Sequence, residues 1–396
     1  MEIINELKNI NESIIKWRRE LHMIPEIGLD LPKTAKYIQE KLCAMNIEFK
    51  TYEKHSGITA VLGKKEGKTI ALRADMDGLP IKEECNNIDY KSTNENMHAC
   101  GHDGHMAILL AVAQILKKHE DKINGKIKLI FQPCEECAPG GADAMINDGV
   151  LEDPKVDSIL ALHVDNANRN YKNGDFMVSY TSMFASDDPI NIKIKGKGGH
   201  ASAPNECIDP VAIGNLVMNN IQYILSREIK PTIPSLISFC GITTSIASNN
   251  IIPDLIEIKG TTRNLDNDIR KYVLERIEEL AVGMSSLMKA ECIVNFEGGC
   301  PAVINDYNMV EQFLKSARSI FDNDEIHIIK EYSMGAEDAG FYFEKLPGCY
   351  FRLYNPKPYE DGIIYPAHNS KYMMDDSVLY RGAAAFIKTA MDYLEA

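Results

Sequence analysis

Two adjacent carboxylates bracketed by two thiols, Cys134-Glu135-Glu136-Cys137, follow directly on the apolar run IKLIFQ and a proline. In extended backbone, consecutive side chains point to opposite sides, so one glutamate of such a pair can grip a cation while the other stays free to move a proton. A denser cluster lies upstream, Cys100-Gly101-His102-Asp103-Gly104-His105, and two further polar residues close apolar segments, Asp75 after TIALRA and His163 after SILAL. Singly, each has an ordinary explanation. An EE pair is usually solvated, and a histidine ending an apolar strand is usually a satisfied core residue. Together they offer thiolate, imidazole and carboxylate from four separate segments, the donor mix that holds zinc and its neighbours in preference to magnesium or calcium. The chemistry such a set supports is hydrolysis, in which cations acidify a water and polarise a carbonyl while a free carboxylate carries the proton to the leaving group.

The elements that must position these residues are readable from periodicity. Thr69 to Asp75, Ile127 to Gln132 and Ser158 to His163 read as buried strands, with a strongly apolar helix from Met106 to Leu116 and Asp103 near its N-cap. Ile4 to Leu21 and Thr34 to Met45 carry apolar residues at helical spacing. Strands alternating with helices imply a mainly parallel sheet covered by helices, and ligands of such sheets bind beyond the carboxyl ends of the strands, where Asp75, Glu135, Glu136 and His163 fall. From about Pro189 to Phe296 the order becomes strand, helix, strand, strand, helix, strand, a βαββαβ unit of ferredoxin-like α+β type. Helix, strand and helix then resume. The expectation is an α/β catalytic domain formed by residues 1–188 and 297–396, interrupted by an inserted lid and dimerisation domain at 189–296.

Bulk properties narrow the function classes. A chain of 396 residues exceeds the usual limit for one core, which favours two domains. No apolar stretch approaches the about 18 residues that cross a bilayer, and the net charge of −14 argues against nucleic acid or an anionic membrane surface as partner. The N-terminal residues carry no apolar leader, so a cytoplasmic location is expected, with the ten cysteines as reduced thiols or ligands and not as a disulfide scaffold.

Six motifs in order, RADMDGLP, MHACGHDGHMA, FQPCEECAPGGA, LALHV, GKGGHASAP and MGAEDAGFY, make nearly the whole chain resemble the aminoacylase, hippurate hydrolase and auxin-conjugate hydrolase branch of the dinuclear metallopeptidases. The resemblance implies two divalent metal ions per subunit, zinc, manganese, cobalt or nickel, held by Cys100, His102, Glu136, His163 and His368. It makes Glu135 the general base and Asp75 the assisting strand-end aspartate, with Asp77 too close to separate in role. It places His200 as an oxyanion donor reaching into a site across a homodimer, and Asn250 and Arg263 as substrate contacts. The implied reaction is hydrolysis of a small N-acyl amino acid to a carboxylic acid and a free amino acid. A dipeptidase or carboxypeptidase would use the same chemistry, and a catalytically silent metal-binding protein of this fold is the rival from another class. Relatives generally carry small residues where this chain has Cys134 and Cys137. That C-x-x-C spacing also suggests a thiol oxidoreductase, but two carboxylates between the thiols raise their pKa and blunt thiolate chemistry. GKGGHASAP lacks the G-K-[ST] ending of a phosphate loop.

Overall fold

The computed structural model describes residues 2–138, 140–167, 170–330 and 333–395. The chain forms two compact units, the first from Met1–Met183, Asn305–Glu331 and Phe341–Ala396, the second from Phe184–Ile304 and Tyr332–Gly340.

The first unit is built on an eight-stranded sheet in the order Phe49–Thr51, Ile58–Leu62, Lys126–Gln132, Thr69–Asp75, Ser158–Asp165, Gly348–Tyr354, Phe176–Val178, Ile326–Ile328. The four consecutive strands from Lys126–Gln132 to Gly348–Tyr354 run parallel to one another. Antiparallel pairings flank them, at Ile58–Leu62 on one side and Phe176–Val178 on the other. Every residue of Thr69–Asp75 is buried, so both faces of this strand are covered, which explains why it reads as an unbroken apolar run. The third strand runs two residues past His163, to Asp165. The apolar helix is longer than its periodic segment, His102–Lys118, because it starts inside the cysteine-histidine cluster. The N-terminal helical segment is two helices, Glu2–Asn9 and Asn11–His22, since Ile10 between two asparagines leaves helical geometry at φ −105°, ψ 9°.

The second unit has its own sheet, in the order Ser235–Thr244, Leu255–Asn264, Asp188–Lys195, Glu291–Phe296, with all three pairings antiparallel. Helices Pro210–Tyr223 and Asn267–Leu287 share a core with it through Ile192, Ile194, Ile213, Val217, Ile256, Ile258, Val273 and Ile277. This is the βαββαβ arrangement. Among the described residues no helix is long and apolar enough to cross a membrane.

One buried polar assembly ties the first unit's N-terminal helix to the start of helix His102–Lys118. Ile14, Trp17, Arg18, Leu21 and His22 form the buried face of Asn11–His22. The Arg18 guanidinium lies 2.8 Å from Asp103 Oδ2, and His22 Nδ1 lies 2.7 Å from the same oxygen. Nε2 of His22 faces Glu83 at 3.3 Å, and Glu83 in turn accepts from the Ser92 N–H. Burial pushes the Asp103 carboxyl up, but Arg18 and His22 outweigh it and hold the group far below the usual carboxylate range. Its contribution to stability is therefore fully present above the ordinary aspartate value of about 3.9 and lost as pH falls below it. Removing one partner strands a buried charge, so Arg18→Met should lower the free energy of unfolding by about 3–5 kcal/mol in urea titrations at neutral pH. The same titrations on the unaltered chain should show stability dropping below about pH 4, and a flat profile there would contradict the assignment.

Candidate metal centre

Because the central strands are parallel, their carboxyl ends share one edge of the sheet, with Asp75 in register with Gln132. Beyond that edge the backbone makes two tight turns. At Gly101, φ is +91°, and a Cβ would lie 2.4 Å from Val164 Cγ2, so only glycine lets Cys100 and His102 flank this turn. At Gly141 a Cβ would lie 1.6 Å from the Pro133 carbonyl oxygen, which closes the loop carrying Glu135 and Glu136 back onto its own start.

Asp77 anchors this loop. Its Oδ1 accepts the Glu135 N–H at 2.9 Å and its Oδ2 the Glu136 N–H at 3.0 Å. Its carbonyl oxygen is 2.8 Å from His102 Nδ1, which must donate, leaving the Nε2 lone pair bare. That Nε2 faces Glu135 Oε2 and Glu136 Oε1, each at 3.9 Å. The glutamates thus do not stand on opposite sides of an extended strand. They follow Cys134, whose φ is +57°, on a bend that aims both carboxylates at one imidazole.

His163 is set the same way, its Nδ1–H donated to the Val164 carbonyl at 2.5 Å and its Nε2 3.4 Å from Cys100 Sγ. His368, half exposed and at φ +64°, brings Nε2 to 3.3 Å from Glu136 Oε1. Among the described residues five groups of donor atoms are closely spaced, and two of them contain the thiol: Cys100 with His102 and His163, and Cys100 with Glu136 and His368. Cys100 belongs to both. Asp75 lies behind them, bonded to His105 Nδ1 at 2.5 Å and to Arg73 at 2.7 Å, with Oδ2 3.8 Å from His102 Nε2. His105 also accepts the Val164 N–H at Nε2, so both its nitrogens are engaged. The contacts of the two aspartates differ: Asp75 bonds His105 and Arg73, and Asp77 bonds the glutamate loop.

The residues fit divalent cations. His102 Nε2 is buried with no hydrogen-bond partner among the described residues, a costly arrangement unless a cation takes its lone pair. Contact with Cys100 and Glu136 pushes the His368 imidazole up to about 10. Despite burial, Asp75 likewise raises the pKa of His102 well above the ordinary value. The pocket's field therefore favours positive charge at these atoms. His163 stays neutral because burial, then His105, lowers it.

The remaining expected residues lie in the second unit. His200, exposed in the two-residue strand Gly199–His200, pairs in register with Ile251, beside Asn250. Its Nδ1 accepts the Ser202 N–H at 3.1 Å, so its proton sits on Nε2. Asn250 Oδ1 accepts from Ser248 Oγ at 2.7 Å, and Arg263 is paired with Asp187 at 3.1 Å. Sequence reasoning missed Arg18 and His22. Their signal was present as a cationic pair at i, i+4 in phase with Ile14 and Leu21.

Residues 71–392 match the model of peptidase family M20/M25/M40. The chain belongs to this family. It is 38% identical to thermostable carboxypeptidase 2 of Saccharolobus solfataricus, over 98% of this chain and 97% of that one. It is 35% identical to the hippurate hydrolase of Campylobacter jejuni over the full length of both. The structure of the Bacillus subtilis YXEP protein, a dinuclear metal binding peptidase of the M20 family, superposes with a TM-score of 0.82 at 28% identity, covering 98% and 99% of the two chains. The chain is thus an amide-bond hydrolase of a metal-dependent family, and its two donor sets accommodate two divalent ions.

Because Cys100 is common to both sets, Cys100→Ser should lower the content of both ions as measured by elemental analysis, with the circular dichroism spectrum unchanged, since a hydroxyl is a far poorer ligand than a thiolate. Loss of a single ion with the other at full occupancy would assign the thiolate to one ion only. Chelation should abolish activity and lower Tm, because ions bound by the folded state alone stabilise it.

Proposed function

We propose that this chain hydrolyses N-acyl amino acids, acetyl, benzoyl or longer, to a carboxylic acid and a free amino acid. The observation that carries the reading is the unequal placement of the two glutamates. Glu136 Oε1 lies against His368 and groups with Cys100, whereas Glu135, though it clusters with His102 and Glu136 and lies 3.9 Å from His102, joins no group that contains Cys100. Glu136 is therefore the ligand and Glu135 the base.

Two divalent ions held by Cys100, His102, Glu136, His163 and His368 would acidify a water and polarise the amide carbonyl. Glu135 takes the water's proton as the oxygen attacks the acyl carbon, then delivers it to the amine nitrogen as the C–N bond breaks. Asp75 holds His105 and faces His102. His200, with its proton on Nε2, is the donor for the developing oxyanion, supplied across a homodimer. The exposed apolar side chains Val211, Tyr223, Ile242 and Ile251 of the second unit support such a pairing. Asn250 and Arg263 contact the substrate, the guanidinium being suited to a carboxylate. The mixed thiolate, imidazole and carboxylate donors favour zinc, manganese, cobalt or nickel. Reduced thiols fit a cytoplasmic enzyme.

The carboxypeptidase relative supports a second reading, removal of a C-terminal residue from an unblocked peptide. A panel of N-acetyl, N-benzoyl and long-chain acyl amino acids set against unblocked dipeptides decides between them. Turnover confined to dipeptides would overturn the first reading. A silent metal-binding role is disfavoured by the intact Glu135.

Glu135→Gln should keep both ions and lose turnover by at least about a hundredfold, because the amide keeps the shape without accepting a proton. Glu136→Gln should lose metal first. Equal metal loss in the two variants would refute the division of labour. His200→Ala should lower kcat on the order of a hundredfold with KM and metal content little changed. An effect confined to KM would make His200 a binding residue instead.

A further inference from the structure

Cys134 and Cys137 take no part in the reaction described above, yet they enclose the two glutamates on which it depends. Their sulfurs are 3.0 Å apart. The turn that brings them together is already formed. Cys134 is in the left-handed region at φ +57°, its Sγ also reaches the Cys137 carbonyl at 3.3 Å, and the N–H groups of Gly141 and Gly140 donate to the carbonyls of Cys134 and Cys137 at 2.8 and 3.0 Å. Cys134 is buried and Cys137 half-buried, so a small oxidant reaches the pair at Cys137.

We propose that Cys134 and Cys137 are a reversible disulfide switch on the catalytic loop, closed by a peroxide and opened by a dithiol, which turns hydrolysis off when closed. The Cys137 thiol reduces hydrogen peroxide, slowed but not stopped by the neighbouring carboxylates, giving a sulfenic acid and one water. The Cys134 sulfur then attacks the sulfenic sulfur, the S–S bond forms, and the hydroxyl leaves with the Cys134 proton as a second water. Two thiols have lost two protons and two electrons, and one peroxide has become two waters. A dithiol returns both electrons and both protons and is itself oxidised to a disulfide.

The consequence for catalysis follows from distance. An S–S bond is about 2.05 Å long, so closure draws the sulfurs together by about 1 Å. Between them sit Glu135 and Glu136, whose N–H groups are tied to Asp77. Where closure pulls the loop backbone with the sulfurs it shifts the base or the ligand, and a misplacement of about 1 Å costs on the order of a hundredfold in rate.

The test uses the metal-loaded enzyme treated with hydrogen peroxide, alkylated and digested. The expected result is a peptide carrying a Cys134–Cys137 link, with the mass loss of two hydrogens and neither thiol alkylated. Activity should fall at least about tenfold in parallel and return on addition of dithiothreitol. Cys137→Ser should keep basal activity, form no link and resist the same peroxide dose, and Cys134→Ala should behave alike if the serine variant fails to fold. Absence of the link, unchanged activity in the linked form, or equal inactivation of both variants, which would place the oxidation outside this pair, each overturns the proposal. The link is read by mass, so a wrong substrate assignment would leave that result standing and be seen separately as lack of turnover before peroxide is added.

Discussion

Asp77 is fully buried and uses both carboxylate oxygens on the backbone N–H groups of consecutive residues, while its own carbonyl receives the Nδ1–H of His102. Two successive N–H groups converge on one carboxylate only when the backbone between them is bent, and the left-handed Cys134 starts that bend. The same residue therefore fixes where the glutamates begin, which way they point and which nitrogen of His102 is left bare. Remove that carboxylate and the loop's N–H groups would be orphaned next to a cluster of anions. The rest of the centre is placed relative to this point.

The strands supply the edge at which Asp77 emerges, and helix His102–Lys118 supplies the opposite wall. A helix that begins within a metal centre cannot be held by its apolar side alone, since its first turn carries His102, Asp103 and His105, all buried. Charge compensation from behind does that work. Arg18 and His22 neutralise Asp103, Arg73 pairs with Asp75 while His105 donates to it, and the histidines are thereby held beside two partnered carboxylates. In such a dry environment unpaired charge is expensive, so the network positions as well as stabilises.

The parts of this arrangement legible in the sequence are those governed by the sheet. Thr69–Asp75 reads as a strand because covering on both faces demands a continuous apolar run, and the carboxyl-end rule then gathers Asp75, Glu135, Glu136 and His163. His368 sits in a loop outside any strand or helix, so nothing in periodicity points to it, and only the likeness to a known family does. The roles of Asp75 and Asp77 could not be parted because two residues of chain span the same distance whichever one turns inward. The bend at Glu135 and Glu136 was equally invisible, since a left-handed cysteine has no local signature, and alternation in extended backbone was the natural but inapplicable premise. Arg18 and His22 were hidden by the general rule that cations on an amphipathic helix face water.

The choice of partners for the imidazoles carries a last consequence. His102 and His163 both donate Nδ1–H to main-chain carbonyls at their shortest contacts, whereas His105, which has both nitrogens occupied within the protein, takes the carboxylate of Asp75. A carbonyl cannot be ionised or protonated over the working range of an enzyme, so the tautomer that leaves Nε2 bare is set by the backbone itself. The three histidines thus differ in which kind of oxygen their Nδ1 meets, and that difference is a property of the turn geometry at Asp77 and Val164.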